Sequence, residues 1–416
     1  MDNIPQRTSG RPASPPAVPP GRGRGAREHV GLALLAVQRA GRRTLAHMRR
    51  SRLLLWHYSS PAAEELLLTP PDLRAVDASF ADEVAAGSLG LAGAVANLGG
   101  RSPFAVEPPS LAWARELHGF GWLRHLEGAG SVEDRALARK LVGDWIGRSR
   151  RQSEPAWEPA VIGRRIVSWL SHAGLLLDGA EPKRYAAVMR SLTEQITYLA
   201  TAWRDAPDGY PRLLALIGLV HAALSIAGHD RRLAHAQALL AAELERQVPA
   251  DGGHISRNPW MLVELLLDLL PLRRCLAARS KTPAPALLAS IHRMTAMLRH
   301  LRLGDGALAR FNGMGAGERD ALANVLAYDE GASALPPKPT RSGYVRLECG
   351  STVVVADAGP APPMGLAGAA CAGCLSFELS SGAELVLVNG GFPGAAEASR
   401  RPTARATPSH NTLCLG

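Results

Sequence analysis

Apolar residues recur with the period of an α-helix through the middle of the 416-residue chain. Leu213, Ile217, Val220 and Leu224 fall at i, i+4, i+7 and i+11, which places them on one helix face. Glycines and prolines stand in the gaps between such segments, where helices end. The pattern predicts helices of similar length at residues 133–149, 160–177, 182–203, 210–227, 231–248, 259–278 and 284–302. Helices joined by short loops build bundles, solenoids or closed α/α toroids.

The pattern changes after Tyr328, where a proline-rich stretch indicates a linker. Beyond the linker, short β-rich segments predict strands at residues 344–349, 352–356, 375–379, 384–388 and 411–415. Helices followed by strands indicate an α+β fold or separate domains. We expect four regions: a disordered arm (1–27), a helical domain (28–332), a linker (333–341) and a sheet domain (342–416). Because the last predicted strand coincides with the end of the sequence, the sheet is expected to be incomplete in a truncated chain.

The charge of the chain is concentrated at its N-terminus. The formal net charge is +10, but residues 1–52 hold eleven arginines against only Asp2 and Glu28. This segment therefore carries +9 and the rest of the chain about +1. A nucleic-acid surface on the globular body is disfavoured, since neutralising several phosphates needs clustered cations. Residues 30–50 suit a basic amphipathic helix.

The composition also excludes other classes of protein. The most apolar segment, residues 262–272, contains Glu264 and Asp268 and is too short to span a membrane. The N-terminus has no secretory signal pattern. The five cysteines are sparse and odd in number, so they do not have the pattern of a disulfide framework. No motif for a bound cofactor is present, and the sequence gives no basis for assigning a metal.

Several stretches in order resemble the heparinase II/III-like family of polysaccharide lyases. The most informative is Gln-Val-Pro-Ala-Asp-Gly-Gly-His-Ile-Ser-Arg-Asn-Pro at residues 247–259. The others lie at residues 56–61, 117–124, 157–159, 165–169, 375–379, 388–391 and 405–412. The resemblance implies an α/α toroid followed by an antiparallel β-sandwich, of which this chain holds the beginning.

The activity implied by this resemblance is β-elimination at a uronic acid of an acidic polysaccharide, such as a heparin-, heparan- or alginate-like polymer. The reaction needs a group that neutralises the uronate carboxylate, a base, usually Tyr or His, that removes the C5 proton, and an acid that protonates the leaving oxygen. The same resemblance implies a location in the cell envelope or periplasm, although without a visible signal peptide a cytoplasmic location stays open.

The loop at residues 251–259 supplies candidate groups for this chemistry. His254 is a candidate acid or base, and Arg257 and Asn258 are candidates for binding the uronate near the start of a helix, where backbone amides favour an anion. The alternative is structural, with Asn258 only capping the helix and Arg257 only forming a salt bridge. Trp260, beside the loop, is the candidate aromatic platform for a sugar ring.

Two further residues complete the candidate catalytic set. Tyr210, at a predicted helix start, is a candidate base, with packing as the alternative. His410 matches a histidine that the family places at the groove face of the sheet. His221 is more typical of a core histidine.

Other positions depart from the family pattern. Met261 stands where characterised members carry a catalytic Tyr, and Cys371 stands where members often carry a His. For the pair Cys371 and Cys374 we favour two buried free thiols over zinc or redox chemistry. These departures motivate a second hypothesis, a catalytically degenerate glycan-binding or scaffold protein of the same fold. A third is a helical-repeat interaction protein.

Overall fold

A computed structural model of the chain describes residues 65–149, 155–328 and 342–414, with isolated positions between residues 30 and 44. The chain divides into two contact units, Met1–Ser51 and Arg52–Gly416. In the first unit, the described positions between 30 and 44 are helical. The predicted arm, the motif at residues 56–61 and the whole of the predicted linker lie outside the described residues. The proposed domain boundaries stay a prediction.

Small elements come first in the described part of the second unit, and the hairpin among them was not predicted from the sequence. A short helix, α1 (Phe80–Ala85), is followed by a hairpin of β1 (Ser88–Leu91) and β2 (Ala94–Asn97). Ala92 and Gly93 both have positive φ, 50° and 74°, the backbone of a tight two-residue hairpin turn. The hairpin packs its alternate residues into the core of the helical domain.

A series of helices forms the body of the molecule. They are α2 (Leu111–Gly119), α3 (Leu123–Ala129), α4 (Val132–Arg148), α5 (Pro159–Ser171), α6 (Ala173–Leu177), α7 (Pro182–Ala202), α8 (Tyr210–Ser225), α9 (Asp230–Gln247), α10 (Trp260–Ala278), α11 (Pro285–His300) and α12 (Arg319–Ala327). All seven predicted helices are present within a few residues. The predicted helix at 160–177 breaks at His172, whose ψ of 29° lies outside the helical region.

The two central helices, α5 and α8, touch backbone to backbone. Gly163 and Gly218 make this possible: a Cβ atom on Gly163 would lie 2.6 Å from the Leu214 carbonyl oxygen, and one on Gly218 would lie 2.8 Å from the Cα of Gly163. Such distances are too short for any side chain. The contact sets the spacing of α5 and α8, which carry Arg164 and Tyr210 respectively.

A four-stranded antiparallel sheet follows the helices in the order β3-β4-β5-β6. The strands are β3 (Tyr344–Cys349), β4 (Thr352–Asp357), β5 (Phe377–Ser381) and β6 (Glu384–Leu387). A short helix, α13 (Arg401–Arg405), comes near the end. The predicted strand at 411–415 is wrong over its described part, because residues 411–414 form no ladder. Instead, the Asn411 side chain donates to the Phe377 carbonyl at 3.3 Å.

The sheet packs on the C-terminal part of the helical domain. Tyr344 is buried and its ring lies 5.3 Å from that of Phe311. The Gly304 amide donates to Ser380 Oγ at 2.9 Å. The observed order, helices and then an antiparallel sheet on a shared core, confirms the predicted α+β fold class.

Candidate functional site

A cavity of about 790 Å³ opens in the helical domain. Its walls come from α2, α3, α5, α8, α10 and α12 and from the segment before α1. Its charged and titratable lining residues are Asp72, Arg74, Asp77, Glu116, Arg124, His125, Arg164, Tyr210, His221, Glu264, Asp268, Glu318, Arg319 and Asp320. This is the volume of a site for a small molecule rather than a packing defect.

Asp268 is the centre of the charge network in the cavity wall. It lies on α10 with a side chain only 1% exposed, and both its oxygens accept from Arg164, at 2.7 and 2.9 Å. Arg74 lies 2.9 Å from the same carboxylate. Burial alone would raise the pKa of Asp268, but Arg164 and Arg74 lower it to about 2. The carboxylate is therefore ionised at neutral pH and is shared by two guanidinium groups.

Tyr210 is the one predicted catalytic residue that lines this cavity. Its hydroxyl donates to Asp268 at 2.8 Å and accepts from Arg164 at 2.5 Å. Burial raises the pKa of Tyr210 far above its usual value, against the effect of the nearby Arg164. The phenol is held protonated, so in this state it is poorly suited to act as a base.

His221 on α8 also lines the cavity and is completely buried. Burial lowers the pKa of His221 to about 4, so the imidazole is neutral at physiological pH. Within the described part of the chain, neither ring nitrogen makes a hydrogen bond of ordinary geometry, although the carboxylate and the backbone of Asp268 lie near enough to oppose the lowering of its pKa. The prediction of a core histidine is right about burial, but the residue also borders an open space.

The cavity is acidic overall. Seven carboxylates and four guanidinium groups line it, a formal net charge of −3. Burial raises the pKa of Glu116, and the nearby Glu264 and Glu318 raise it further, while Arg124 opposes them. Carboxylates are thus crowded on one part of the lining.

The guanidinium groups of the cavity are already engaged. Arg74 and Arg164 pair with Asp268, as described above. Arg124 donates to the carbonyls of Ala75, at 2.9 Å, and Gly121, at 2.6 Å. Arg319 pairs with Asp305 at 2.9 Å.

The loop at residues 251–259 lies elsewhere, where the helical domain meets the sheet. His254 is buried, and its Nδ1 and Nε2 pair with Ser256 Oγ at 2.7 Å and Gln247 Oε1 at 2.9 Å. Burial lowers the pKa of His254 to about 4. Gln247 in turn donates to the Gly209 carbonyl at 3.1 Å. His254 is therefore fixed behind the start of α8, and it is not among the residues that line the cavity.

Arg257 is a buried link between the loop and the sheet. It pairs with Asp357 at the end of β4 and donates to the carbonyls of Ser342, at 2.9 Å, and Pro360, at 2.6 Å. Its guanidinium lies 5.2 Å from the centre of the Tyr344 ring. All these partners belong to the protein, so the geometry favours the alternative that Arg257 forms a structural salt bridge.

The residues that follow Arg257 face the start of α10. Asn258 Oδ1 accepts from the Trp260 amide at 2.9 Å, as a capping side chain does. Trp260 is half-buried, and its indole donates to Glu264 at 3.2 Å. It packs on Gly317, where an added Cβ would lie 2.8 Å from the indole ring. Trp260 therefore contacts a cavity residue but is not itself part of the lining.

His410 and the cysteine pair lie together in the sheet domain. The His410 ring packs against Gly373, where an added Cβ would lie 3.1 Å from its Cγ. Burial lowers the pKa of His410. Cys371 is half-buried and Cys374 is exposed, so the prediction of two buried thiols is wrong for Cys374, which lies at a turn before β5. Among the described residues, no group of three or more His, Cys, Asp and Glu side chains could hold a metal ion.

The structure thus does not bring the predicted site residues together. Tyr210 lies in the cavity, whereas His254, Arg257 and Asn258 belong to the loop beside the sheet. Sequence reasoning missed Arg74, Arg164 and Asp268. One signal for Asp268 was present, since a carboxylate inside the apolar run at 262–272 must find a partner when buried.

Comparisons with known proteins agree with this architecture. Residues 336–416 match the family model "Heparinase II/III-like, C-terminal". Heparinase III superposes on 87% of the chain, with a TM-score of 0.65 and 14% identity, over 66% of its own length. The heparan sulfate lyase HepC from Pedobacter heparinus superposes on 94% of the chain and 68% of its own, with a TM-score of 0.54 and 17% identity. At these identities the likeness shows the fold.

One curated protein is similar in sequence. FtsZ-localized protein C from Caulobacter vibrioides (strain NA1000 / CB15N) is 32% identical over 334 residues, which are 80% of this chain. The aligned part spans 58% of that protein's length. None of the helices in the described residues is long and apolar enough to cross a membrane. The chain therefore carries the C-terminal domain of the heparinase II/III-like family at residues 336–416, after a helical domain with the toroid fold of heparinase III.

Proposed function

We propose that this chain acts by binding, as a localised scaffold of heparinase fold, and that it does not cleave uronate polymers. The observation that carries the proposal is the acidic cavity, in which the guanidinium groups are already engaged by carboxylates or carbonyls. A uronate carboxylate entering it would meet a net charge of −3 and would have to displace Asp268 from Arg164. Like charges in a partly enclosed site oppose such binding.

The lyase hypothesis, with an acidic polysaccharide as substrate, requires catalytic groups that the residues of this cavity do not supply. A base must take the C5 proton, yet the Tyr210 phenol is held protonated between Arg164 and Asp268. The pKa of His221, about 4, makes it a weak proton acceptor, and the ring is fully buried. Efficient proton transfer needs a pKa near the working pH. His254 and His410, the other candidates, are absent from the cavity lining.

The curated relative suggests where the scaffold acts. That protein is named for its localisation with FtsZ, and 80% of this chain aligns with it. We propose that this chain is recruited to FtsZ in the same way. A location at FtsZ would replace the cell-envelope or periplasmic location that the resemblance to lyases implied.

The test is a fluorescent fusion of the full chain, imaged in cells together with labelled FtsZ and compared with the fluorescent protein alone. We expect the fusion to gather where FtsZ gathers, and purified chain to be retained by immobilised FtsZ. A uniform distribution in cells with no retention would contradict the proposed localisation.

A further inference from the structure

One buried polar group in the cavity wall lacks a hydrogen-bond partner within the described residues, the hydroxyl of Ser171, whose residue is 7% exposed. The imidazole of His221 is completely buried and makes no hydrogen bond of ordinary geometry there, although the nearby backbone of Asp268 raises its pKa. Both line the cavity. A buried polar atom without a hydrogen-bond partner costs about 1–3 kcal/mol of folding free energy. An unpaired polar group beside an open space therefore indicates that a ligand or a water molecule binds there.

The carboxylates of the same cavity indicate that this ligand is positively charged. Glu264 and Glu318 line the cavity with Glu116, and both oppose ionisation of Glu116 and so raise its pKa. Of these three, Glu264 is also paired with Arg74, at 3.2 Å. The remaining excess of negative charge is relieved by a cation that brings N–H donors to the carboxylates.

The imidazole of His221 is compatible with such a ligand. A neutral imidazole keeps one ring nitrogen as an acceptor in either tautomer, and the Ser171 hydroxyl can both accept and donate. An ammonium group or a sugar hydroxyl can satisfy both. A carboxylate ligand could use only their donors and would be repelled by the rest of the lining.

From this geometry we infer that the cavity is a binding site for an alkylammonium ligand, held by Glu116, Glu264 and Glu318 and completed by His221 and Ser171. The volume of about 790 Å³ lies in the range of sites that take small organic molecules. Amino sugars with free amines and linear polyamines both carry this chemistry. The inference goes beyond recruitment to FtsZ, because it concerns the isolated protein.

The experiment is isothermal titration calorimetry on the full chain at neutral pH. The probes are the β-1,4-linked glucosamine disaccharide, its di-N-acetylated counterpart, spermidine and glucuronic acid. The two disaccharides share a skeleton and differ in the charge of their amines. We expect the free-amine disaccharide to bind at least about tenfold more tightly than the acetylated one, as the loss of a charge-assisted bond predicts. Glucuronic acid should not bind.

The spermidine titration separates the two sources of the ammonium group. Spermidine binding more tightly than the disaccharide would assign the site to polyamines, and the reverse order would assign it to amino sugars. Equal binding of the two disaccharides, preferred binding of glucuronic acid, or binding by neither amine would overturn the inference.

Variants test the residues named. Glu116→Gln removes one charge at nearly constant volume and should weaken amine binding about tenfold. Glu245→Gln is the matched control, because Glu245 is exposed on α9 and does not line the cavity; its affinity should equal that of the unmodified chain. Unchanged affinity in Glu116→Gln would overturn the assignment.

Ser171→Ala supplies a second test with little risk to folding, since the hydroxyl it removes has no partner among the described residues. We expect amine binding to weaken a few-fold while the midpoint of thermal unfolding is unchanged or higher. A drop in unfolding midpoint with unchanged affinity would contradict a role for Ser171 in the site. The titrations on the unmodified chain decide the ligand class even if a variant fails to fold.

Discussion

Two buried polar networks of this molecule differ in whether they are complete. At the junction of helices and sheet, Asp357 accepts from Arg257 and, at 2.8 Å, from Asn312, and every group named has a protein partner. In the cavity of the helical domain, Asp268 is equally buried and equally well paired. Around it, however, carboxylates remain in excess and the buried Ser171 hydroxyl has no hydrogen-bond partner in the described chain. The first network joins two parts of the fold, and the second leaves room for a ligand.

The comparison shows why residue types alone mislead. Arg257 stands in a motif that resembles a lyase loop, yet its hydrogen bonds all go to the protein's own backbone and to Asp357. Arg164, in a stretch that sequence reasoning left without a role, faces the cavity. A chemically capable side chain becomes a site residue only where the fold leaves space beside it.

The largest effect is expected from breaking the junction network. Arg257→Ala leaves Asp357 buried without its cation, which should cost about 3–5 kcal/mol of unfolding free energy. The control is Arg400→Ala, because Arg400 pairs with Glu397 on the surface and its side chain is 74% exposed. The control should lose less than about 1 kcal/mol. Urea unfolding measures both, and equal losses would mean that the junction is not a structural link.

A slightly smaller effect is expected from separating the helices that form the cavity wall. Gly163→Ala places a methyl group against the backbone of α8 and should cost about 1–3 kcal/mol or more. Gly143→Ala is the matched control on an exposed face of α4, with nothing within 4 Å of the added atom. It should raise stability by up to about 1 kcal/mol, the helix propensity difference. A neutral Gly163→Ala would contradict the close contact of α5 and α8.

The two regions should also differ in how stability depends on pH. The pKa of Asp268 falls from 3.8 to about 2 on folding, so its contribution is present above pH 3.8 and is lost as pH falls towards 2. Near the junction, burial raises the pKa of Glu378 from 4.5 to about 7, although the amides of Arg310 and Asn389 donate to it. Its contribution is present below pH 4.5 and is lost as pH rises through 7.

Unfolding free energies measured against pH check both signs. Asp268→Asn should flatten the decline between pH 3.8 and 2, and Glu378→Gln should flatten the decline between pH 4.5 and 7. If either variant kept the pH slope of the unmodified chain in its window, the corresponding shift would be absent.

The smallest effect is expected at Asn258, where two interpretations of the sequence compete. If Asn258 caps α10 through the Trp260 amide, Asn258→Ala should cost about 1 kcal/mol and leave ligand binding at the cavity unchanged. Chemical unfolding and calorimetry on the same sample check both parts. Weaker amine binding at unchanged stability would place Asn258 in the site.

Much of the fold could be predicted from the sequence. The helices of the body follow the apolar period, and β3 to β6 follow from β-rich runs between turns. The hairpin at residues 88–97 was missed because its strands are four residues long and lie among short, proline-punctuated segments. The strand expected at 411–415 was wrong over residues 411–414, because Asn411 and Thr412 make single hydrogen bonds to Asn389, Phe377 and Cys374 in place of a ladder.

The site could be predicted much less well. Asp268, Arg164 and Arg74 are far apart in the sequence and meet only because α10, α5 and the segment before α1 pack together. No local pattern signals which of many arginines will face a cavity. Tyr210 was identified from its place at a helix start, but the protonation state that Arg164 and Asp268 impose on it depends on packing.

The central claim is that this heparinase fold holds a cavity unsuited to uronate elimination. The direct measurement is the ultraviolet absorbance of unsaturated uronate product when the full chain meets heparan, hyaluronan, chondroitin and alginate, with HepC as positive control on heparan. We predict no product from this chain under conditions in which HepC gives a clear signal. Product formation that disappears in Tyr210→Phe would contradict the account and would make Tyr210 a catalytic residue.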